Sequence, residues 1–226
     1  MTGPVALLDE AGYALLPALL PAGHMNEIAE SLEPWLQSTV GSRNLLAQPD
    51  CRGMAAQLKT QLAAIGLLGD DATAVQCTLF DKTADRNWLV ALHQDTSIPA
   101  SGDPSDAAMP IAVKEGARYV QPPVDVLESL LAVRVHLDDC GVDAGPLRVV
   151  PGSHRAGRLD GPAAQAMRDA RGEAICTAAR GDALAMRPLL LHASSRARLP
   201  VRRRILHFLF GPARLPHGLV WNLTEP

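Results

Sequence analysis

His93-Gln94-Asp95 offers an imidazole and a carboxylate two residues apart. His192 lies 97 positions after Asp95, and Arg203 another 11 on. On a strand, residues i and i+2 point to one face, so such a pair can converge on one ion. Two neutral imidazoles and one carboxylate can hold Fe(II) on one face of an octahedron and leave the opposite face open for substrate and oxygen. Arginine adds a rigid, planar fork of donors that fits a carboxylate, such as the far end of a 2-oxo acid.

The H-x-D spacing alone decides little. With 7 His and 16 Asp in 226 residues, chance predicts roughly one such tripeptide in two chains of this kind, and this chain has two. The second is His136-Leu137-Asp138, and the distance to His192 suits either pair. Context separates them. His93 ends an apolar run and opens into a long loop, where it can sit at a cavity mouth. His136 lies inside a strand pattern that runs into an Asp-rich turn, which Asp138 and Asp139 would brace.

The elements that must position these groups change character along the chain. Met25, Ile28, Leu32 and Leu36 recur at helical spacing, and Met54, Leu58, Leu62 and Ile65 do the same. After Asp71 the period shortens to two. Val75, Cys77 and Leu79 alternate with Gln76, Thr78 and Phe80, and Leu131, Val133, Val135 and Leu137 with Ala132, Arg134 and His136. Further strands are expected at Trp88–His93, Leu147–Val150, Ala174–Thr177, Ala183–Met186, Leu189–His192 and Arg203–Phe210. The stretch 96–123 is rich in Pro, Gly, Ser and Asp and reads as a long loop or lid. Several short strands behind two helices imply a mainly β fold with N-terminal helices (α+β), a sandwich or jelly roll. With no linker in view, residues 1–226 read as one domain: a helical brace over 1–70 and a β core over 71–212.

Composition narrows the function classes. Aromatics are 4% and the net charge is −3, which excludes a stacking platform or a general field for nucleic acid. The apolar stretch Val5–Leu20 is interrupted by Asp9, Glu10, Gly12 and Pro17, so it is not expected to span a membrane. It also lacks a basic leader region. Cys51, Cys77, Cys140 and Cys176 form no CxxC pair and read as reduced thiols, consistent with a cytoplasmic protein. No pattern sets an oligomeric state.

The text around the candidate triad resembles the phytanoyl-CoA dioxygenase family. The matching stretches are Leu79-Phe80-Asp81-Lys82, Trp88 through Asp95, His136 through Asp139, and Gly145 through His154. Gly181-Asp182, His192 through Ser195 and Arg202 through Phe210 complete them. The run ending in Pro151-Gly152-Ser153-His154 is the most family-specific. The resemblance covers about residues 74 to 212. It implies a double-stranded β-helix, the cupin-like form of the jelly roll, and an Fe(II)- and 2-oxoglutarate-dependent oxygenase. It makes His93, Asp95 and His192 the iron ligands and assigns Arg203 to the distal carboxylate of 2-oxoglutarate. Ser194 would contact the same carboxylate, with Thr78, and Gln76 on its face, as further co-substrate contacts. O2 would take the last open position, 2-oxoglutarate would leave as succinate and CO2, and a C–H bond of a small molecule would be oxidised. Related halogenases replace the acidic ligand with a small residue, so Asp95 favours hydroxylation, desaturation or ring closure.

One departure stands out. The family often has an aromatic-Pro pair soon after its H-x-D, where this chain reads Thr96-Ser97-Ile98-Pro99. The aromatic wall of the pocket is therefore expected to be built differently. The loop also lacks an acyl-CoA signature, so the family's name does not name the substrate.

Other residues keep two readings. Alternation puts Arg203, Ile205, His207 and Leu209 on one face, and a lone buried Arg there needs a partner, either a co-substrate carboxylate or a structural Asp. Lys82 either braces its strand or reaches the cavity. Lys114, Glu115 and Arg118 are solvated loop charges or substrate contacts. Arg43 and Asn44 are candidates for lining the cavity from the helical side. Arg196, Arg198, Arg202 and Arg204 read as a solvated basic face or a contact for an anionic substrate. His136 and His154 read as structural. Two other functions compete: a cupin-like metalloenzyme that does not use 2-oxoglutarate, for which Arg203 is dispensable, and a non-catalytic binding module, which would hold no iron.

Overall fold

The computed structural model describes residues 3–36, 45–102 and 110–222. The chain opens with α1 (Pro4–Glu10), β1 (Tyr13–Leu16), α2 (Ala22–Ser31), α3 (Glu33–Leu36) and α4 (Pro49–Ala64). Then come β2 (Ala72–Lys82), β3 (Val90–His93), β4 (Ala100–Ser101), β5 (Ile111–Lys114), β6 (Ala117–Val120), α5 (Val124–Glu128) and β7 (Leu131–His136). The last third holds β8 (Leu147–Val149), α6 (Gly161–Arg171), β9 (Ala174–Cys176), β10 (Ala183–Met186), β11 (His192–Ser194), β12 (Arg203–Pro212) and β13 (Val220–Trp221).

Two antiparallel sheets face each other. The larger has the order β1-β10-β7-β12-β2 and the smaller β3-β11-β8-β9. The period of two explains the layering. On β2, β7 and β12 the residues Cys77, Leu79, Val133, Val135, Leu206, Phe208 and Phe210 face outward and pack on Met25, Ile28, Met54, Leu58 and Leu62 of α2 and α4. Ala132, Leu184, Met186 and Leu209 face inward and meet Leu147, Val149 and Cys176 of the smaller sheet. Covered on both sides, β7 is buried at every position. That makes Arg134 and His136, at its centre and end, the polar exceptions.

The two helical patterns appear as α2 and α4. In α4, Pro49 opens the first turn, Asp50 complements its N-terminus, and Met54, Leu58 and Leu62 form the buried stripe. The side chain of Leu36, in the first pattern, lies outside the described residues, as do Arg43 and Asn44.

Four features differ from the sequence expectations. The helical brace also supplies a strand: β1 pairs with β10 at the edge of the larger sheet, with Ala14 and Leu16 buried. Its alternation covers only four residues, too few to stand out between helices. The stretch 96–123 is not one irregular loop, because β5 and β6 form a hairpin whose turn residues Glu115 and Gly116 both have positive φ. That pattern is the signature of a two-residue primed turn. The strand expected at Leu189–His192 starts at His192 instead, since Leu190 N–H closes a turn on Arg187 O. Finally α6, capped by Asp160 accepting from Ala163 N–H at 2.8 Å, is a largely exposed helix with a single buried residue, so its sequence carries few large apolar side chains. All four cysteines are buried and free.

Candidate active site

The smaller sheet brings the triad together. β11 pairs with β3 so that His192 stands opposite His93, their rings 4.2 Å apart between centroids. One ligand atom from each of His93, Asp95 and His192 falls within 4.8 Å of the others. His93 Nε2 is 3.6 Å from Asp95 Oδ1, and His192 Nε2 is 3.7 Å from Asp95 Oδ2.

Backbone carbonyls set the ring hydrogens. His93 Nδ1 lies 2.8 Å from Ala91 O, and His192 Nδ1 lies 2.9 Å from Leu190 O. A carbonyl can only accept, so Nδ1 donates and Nε2 of each neutral ring is left with a bare lone pair. Burial pushes His192 down to about 4 against the pull of Asp95, which keeps it neutral. Burial opposes charge on Asp95, yet His192, His207, His93 and Arg134 together outweigh it and hold its carboxyl below the usual range. Two bare nitrogens and a carboxylate thus converge with no hydrogen between them. A cation satisfies all three at once, so the donor set fits a metal ion of the Fe(II) type.

Neighbouring residues hold the three candidate ligands in place. Gln94, between His93 and Asp95, donates to Gly157 O and Leu189 O at 2.8 and 2.7 Å and accepts from Leu159 N–H at 2.9 Å. Its side chain ties the strand end to two loops. Asp95 N–H donates to Pro188 O at 2.9 Å. Ser153, fully buried in the Pro-Gly-Ser-His run, accepts from Leu191 N–H at 2.8 Å, immediately before His192. Those motif residues brace the distal histidine.

A cavity of about 390 Å³ opens from the triad, and Gln76, Thr78, Ser194 and Arg203 all line it. Arg203 stands opposite Lys82 across β12 and β2. Its Nη1 donates to Gly145 O, while its Nε is buried without a partner among the described residues. Gly145 is in the left-handed region at φ +67°, and a Cβ there would meet Ser195 O at 2.6 Å, so only glycine brings this carbonyl to Arg203. Lys82 is buried and donates to Ser194 Oγ at 3.1 Å and Ser195 O at 2.8 Å. Of its two readings the bracing one is seen, since Lys82 ties its strand to Ser194 and Ser195 and is not among the residues that line the cavity. Burial, then Arg203 and Arg134, lowers its ammonium to about 8. Thr78 Oγ1 accepts from Gln76 Nε2 at 2.7 Å, which leaves the hydroxyl hydrogen of Thr78 to donate.

Two lining residues were not singled out from the sequence. Arg134 of β7 is 6% exposed and His207 of β12 is 8% exposed, and they are register partners. Burial and then Arg203 lower Arg134 to about 10, so it stays charged at neutral pH. Among the described residues, no carboxylate lies within ion-pair distance of Arg134, Arg203 or Lys82. The available signal was a charge in the middle of a strand that is apolar on its other face. The aromatic wall comes from Phe80, Trp88 and Tyr119, replacing the expected aromatic-Pro pair.

Other candidates fall elsewhere. Asp138 accepts three hydrogen bonds from Arg204 at 2.8–2.9 Å, so the second H-x-D braces β12 and His136 lies outside the cavity lining. His154 borders a separate cleft with Asp9 and Arg187. The basic run is not a free face: Arg202 pairs with Asp81 and Glu33, and Arg204 with Asp138, on the outer side of the sheet. Arg196 and Arg198 are exposed. Lys114 lies at the cavity rim, its Nζ 4.8 Å from the Tyr119 ring centroid, while Glu115 and Arg118 are exposed outside the lining.

The sequence profile of the phytanoyl-CoA dioxygenase family matches residues 8–205. The chain belongs to this family. It is accordingly a 2-oxoglutarate-dependent non-haem iron oxygenase, and its donor set agrees with that class. No curated protein matches the sequence. Among solved structures, the fold is similar to the epimerase SnoN in complex with Fe3+, alpha ketoglutarate and nogalamycin RO, with TM-score 0.72 and 18% identity over 93% of this chain and 82% of that one. HygX from Streptomyces hygroscopicus, with nickel, 2-oxoglutarate and hygromycin B bound, gives TM-score 0.63 and 19% identity over 92% and 86%. AviO1 from Streptomyces viridochromogenes Tue57 gives 0.68 and 18% over 94% and 95%. At these identities the likeness establishes the jelly-roll fold. Among the described residues, no helix is long and apolar enough to cross a membrane.

Proposed function

We propose that this oxygenase hydroxylates, or otherwise oxidises, an unactivated C–H bond of a small molecule, with His93, Asp95 and His192 holding the iron. The observation that carries this reading is the convergence of two bare imidazole nitrogens and a carboxylate on a cavity shared with a buried arginine that has no carboxylate partner among the described residues. Iron with 2-oxoglutarate and O2 supplies the oxidant, and succinate and CO2 are the co-products.

The chain's own residues bind and orient. Arg203, with Ser194 beside it and the Lys82 charge behind Ser194, takes the distal carboxylate of 2-oxoglutarate, a charge-assisted contact worth about 1.5–3 kcal/mol. Thr78, held by Gln76, donates into the same space. Phe80, Trp88 and Tyr119 supply apolar wall that keeps the reacting centre dry. The cavity volume sits at the lower end of ligand pockets, roughly 300–1,000 Å³, so a small substrate or the tip of a larger one fits. SnoN and HygX hold nogalamycin RO and hygromycin B in their structures, and we extend to this chain the small-molecule class and not the compounds.

Purified protein given Fe(II), 2-oxoglutarate and air should form succinate slowly without substrate, and Asp95→Ala should abolish it. A candidate substrate should accelerate it and gain an oxygen atom or lose two hydrogens. Wild-type protein that binds iron but never forms succinate would refute the reading.

A further inference from the structure

Three imidazoles, not two, turn their Nε2 atoms toward Asp95. His207 Nε2 lies 3.9 Å from Asp95 Oδ2, beside the contacts of His93 and His192 already described. What differs is the partner at the other ring nitrogen. His93 and His192 have carbonyl oxygens at Nδ1. His207 has the Arg134 guanidinium there, with Nη1 3.2 Å from Nδ1. A guanidinium carries donors only, so Nδ1 of His207 must accept and its ring hydrogen belongs on Nε2. The same atom that is a bare ligand in two rings is therefore a donor in the third.

We propose that Arg134 and His207 are positioning residues for the metal site: Arg134 fixes His207 as an Nε2–H donor facing Asp95, which steadies the acidic ligand and keeps a fourth protein ligand off the metal. The inference rests on the iron assignment made above. Both side chains are nine-tenths buried, and their strands hold them in register, so neither can turn to solvent. Arg134 is further seated over the Phe80 ring, 5.3 Å from its centroid. A donor aimed at a ligating carboxylate fixes its orientation, and loss of such a partner commonly costs 10–100-fold in metal affinity. Closing the gap to Asp95 by about 1 Å gives a hydrogen bond of ordinary length. If His207 carried its hydrogen on Nδ1 instead, a bare Nε2 would stand 3.9 Å from Asp95 as a further potential ligand.

The test counts ligands rather than turnover. Cu(II)-loaded protein is examined by pulsed EPR, which counts coordinated imidazoles, and metal dissociation constants are measured alongside. Wild type should show two imidazoles. Arg134→Met should show three, and Arg134→Met with His207→Phe should return to two. His207→Phe alone should weaken metal binding about tenfold. His207→Gln, which keeps a donor at the same reach, should stay within about threefold of wild type. Two imidazoles in Arg134→Met, or equal metal affinity in His207→Phe and wild type, would overturn the proposal. Should Arg134→Met fail to fold, the Gln-against-Phe comparison at His207 decides alone. Wild type without a metal bound by His93 and His192 would instead bring down the iron assignment itself.

Discussion

The ammonium of Lys82 sits buried beside two guanidiniums, and burial with their repulsion lowers it to about 8. Its charge is nearly complete at pH 7 and fades as pH rises through 8, while 2-oxoglutarate keeps both its charges. The 2-oxoglutarate dissociation constant should therefore rise between pH 7 and 9, by up to about tenfold. Lys82→Met should bind more weakly at pH 7 and show no such slope. A flat wild-type profile would mean that the Lys82 charge plays no part in co-substrate binding. At this scale the sequence exposed residues whose chemistry is legible one at a time. His93, Asp95, His192 and Arg203 combine suggestive spacing with family-like text. Arg134 and His207 did not stand out because their roles come from being opposite one another across β7 and β12, 73 positions apart. Alternation placed each on a face but could not say what lay across the strand.

Strand periodicity told most at the scale of elements. β2 and β7 sit where the alternation of apolar residues put them, because a two-layer core needs apolar side chains on alternate positions, and β10 lies at the expected Ala183–Met186. β1, the β5–β6 hairpin and α6 were hidden, the first two by their four-residue length and α6 by its exposed, polar surface. What no periodicity conveys is how a turn motif serves a distant ligand. Ser153 spends its hydroxyl on Leu191 N–H, one residue before His192. Ser153→Ala leaves that buried donor unsatisfied and should cost about 1–3 kcal/mol of stability. It should also weaken metal binding, measured by titration of the folded variant, whereas a distant surface change such as Lys59→Ala should leave both untouched. Metal affinity unchanged in a destabilised Ser153→Ala protein would confine Ser153 to folding.

The two cores share the larger sheet, since β7 and β12 send one face to the helices and the other to the cavity. Support for the site therefore begins at the N-terminal helices. Phe208 is fully buried against them, on the strand that carries Arg203 and His207. Phe208→Ala should cost about 3–5 kcal/mol. Its denaturation followed by near-UV signals and by loss of bound metal should give one coincident transition. Separate transitions would mean that the helical layer and the jelly roll unfold independently. The central claim, an iron site on His93, Asp95 and His192 with 2-oxoglutarate gripped by Arg203, is tested most directly by anaerobic titration with Fe(II) and 2-oxoglutarate. The readout is the weak visible charge-transfer band of the chelate. The band should appear in wild type and in His136→Ala and vanish in His93→Ala. In Arg203→Met it should need about 10–100-fold more 2-oxoglutarate, as loss of a charge-assisted contact requires. A folded wild-type protein that binds Fe(II) and develops no band, or a band that survives His93→Ala, would contradict the account.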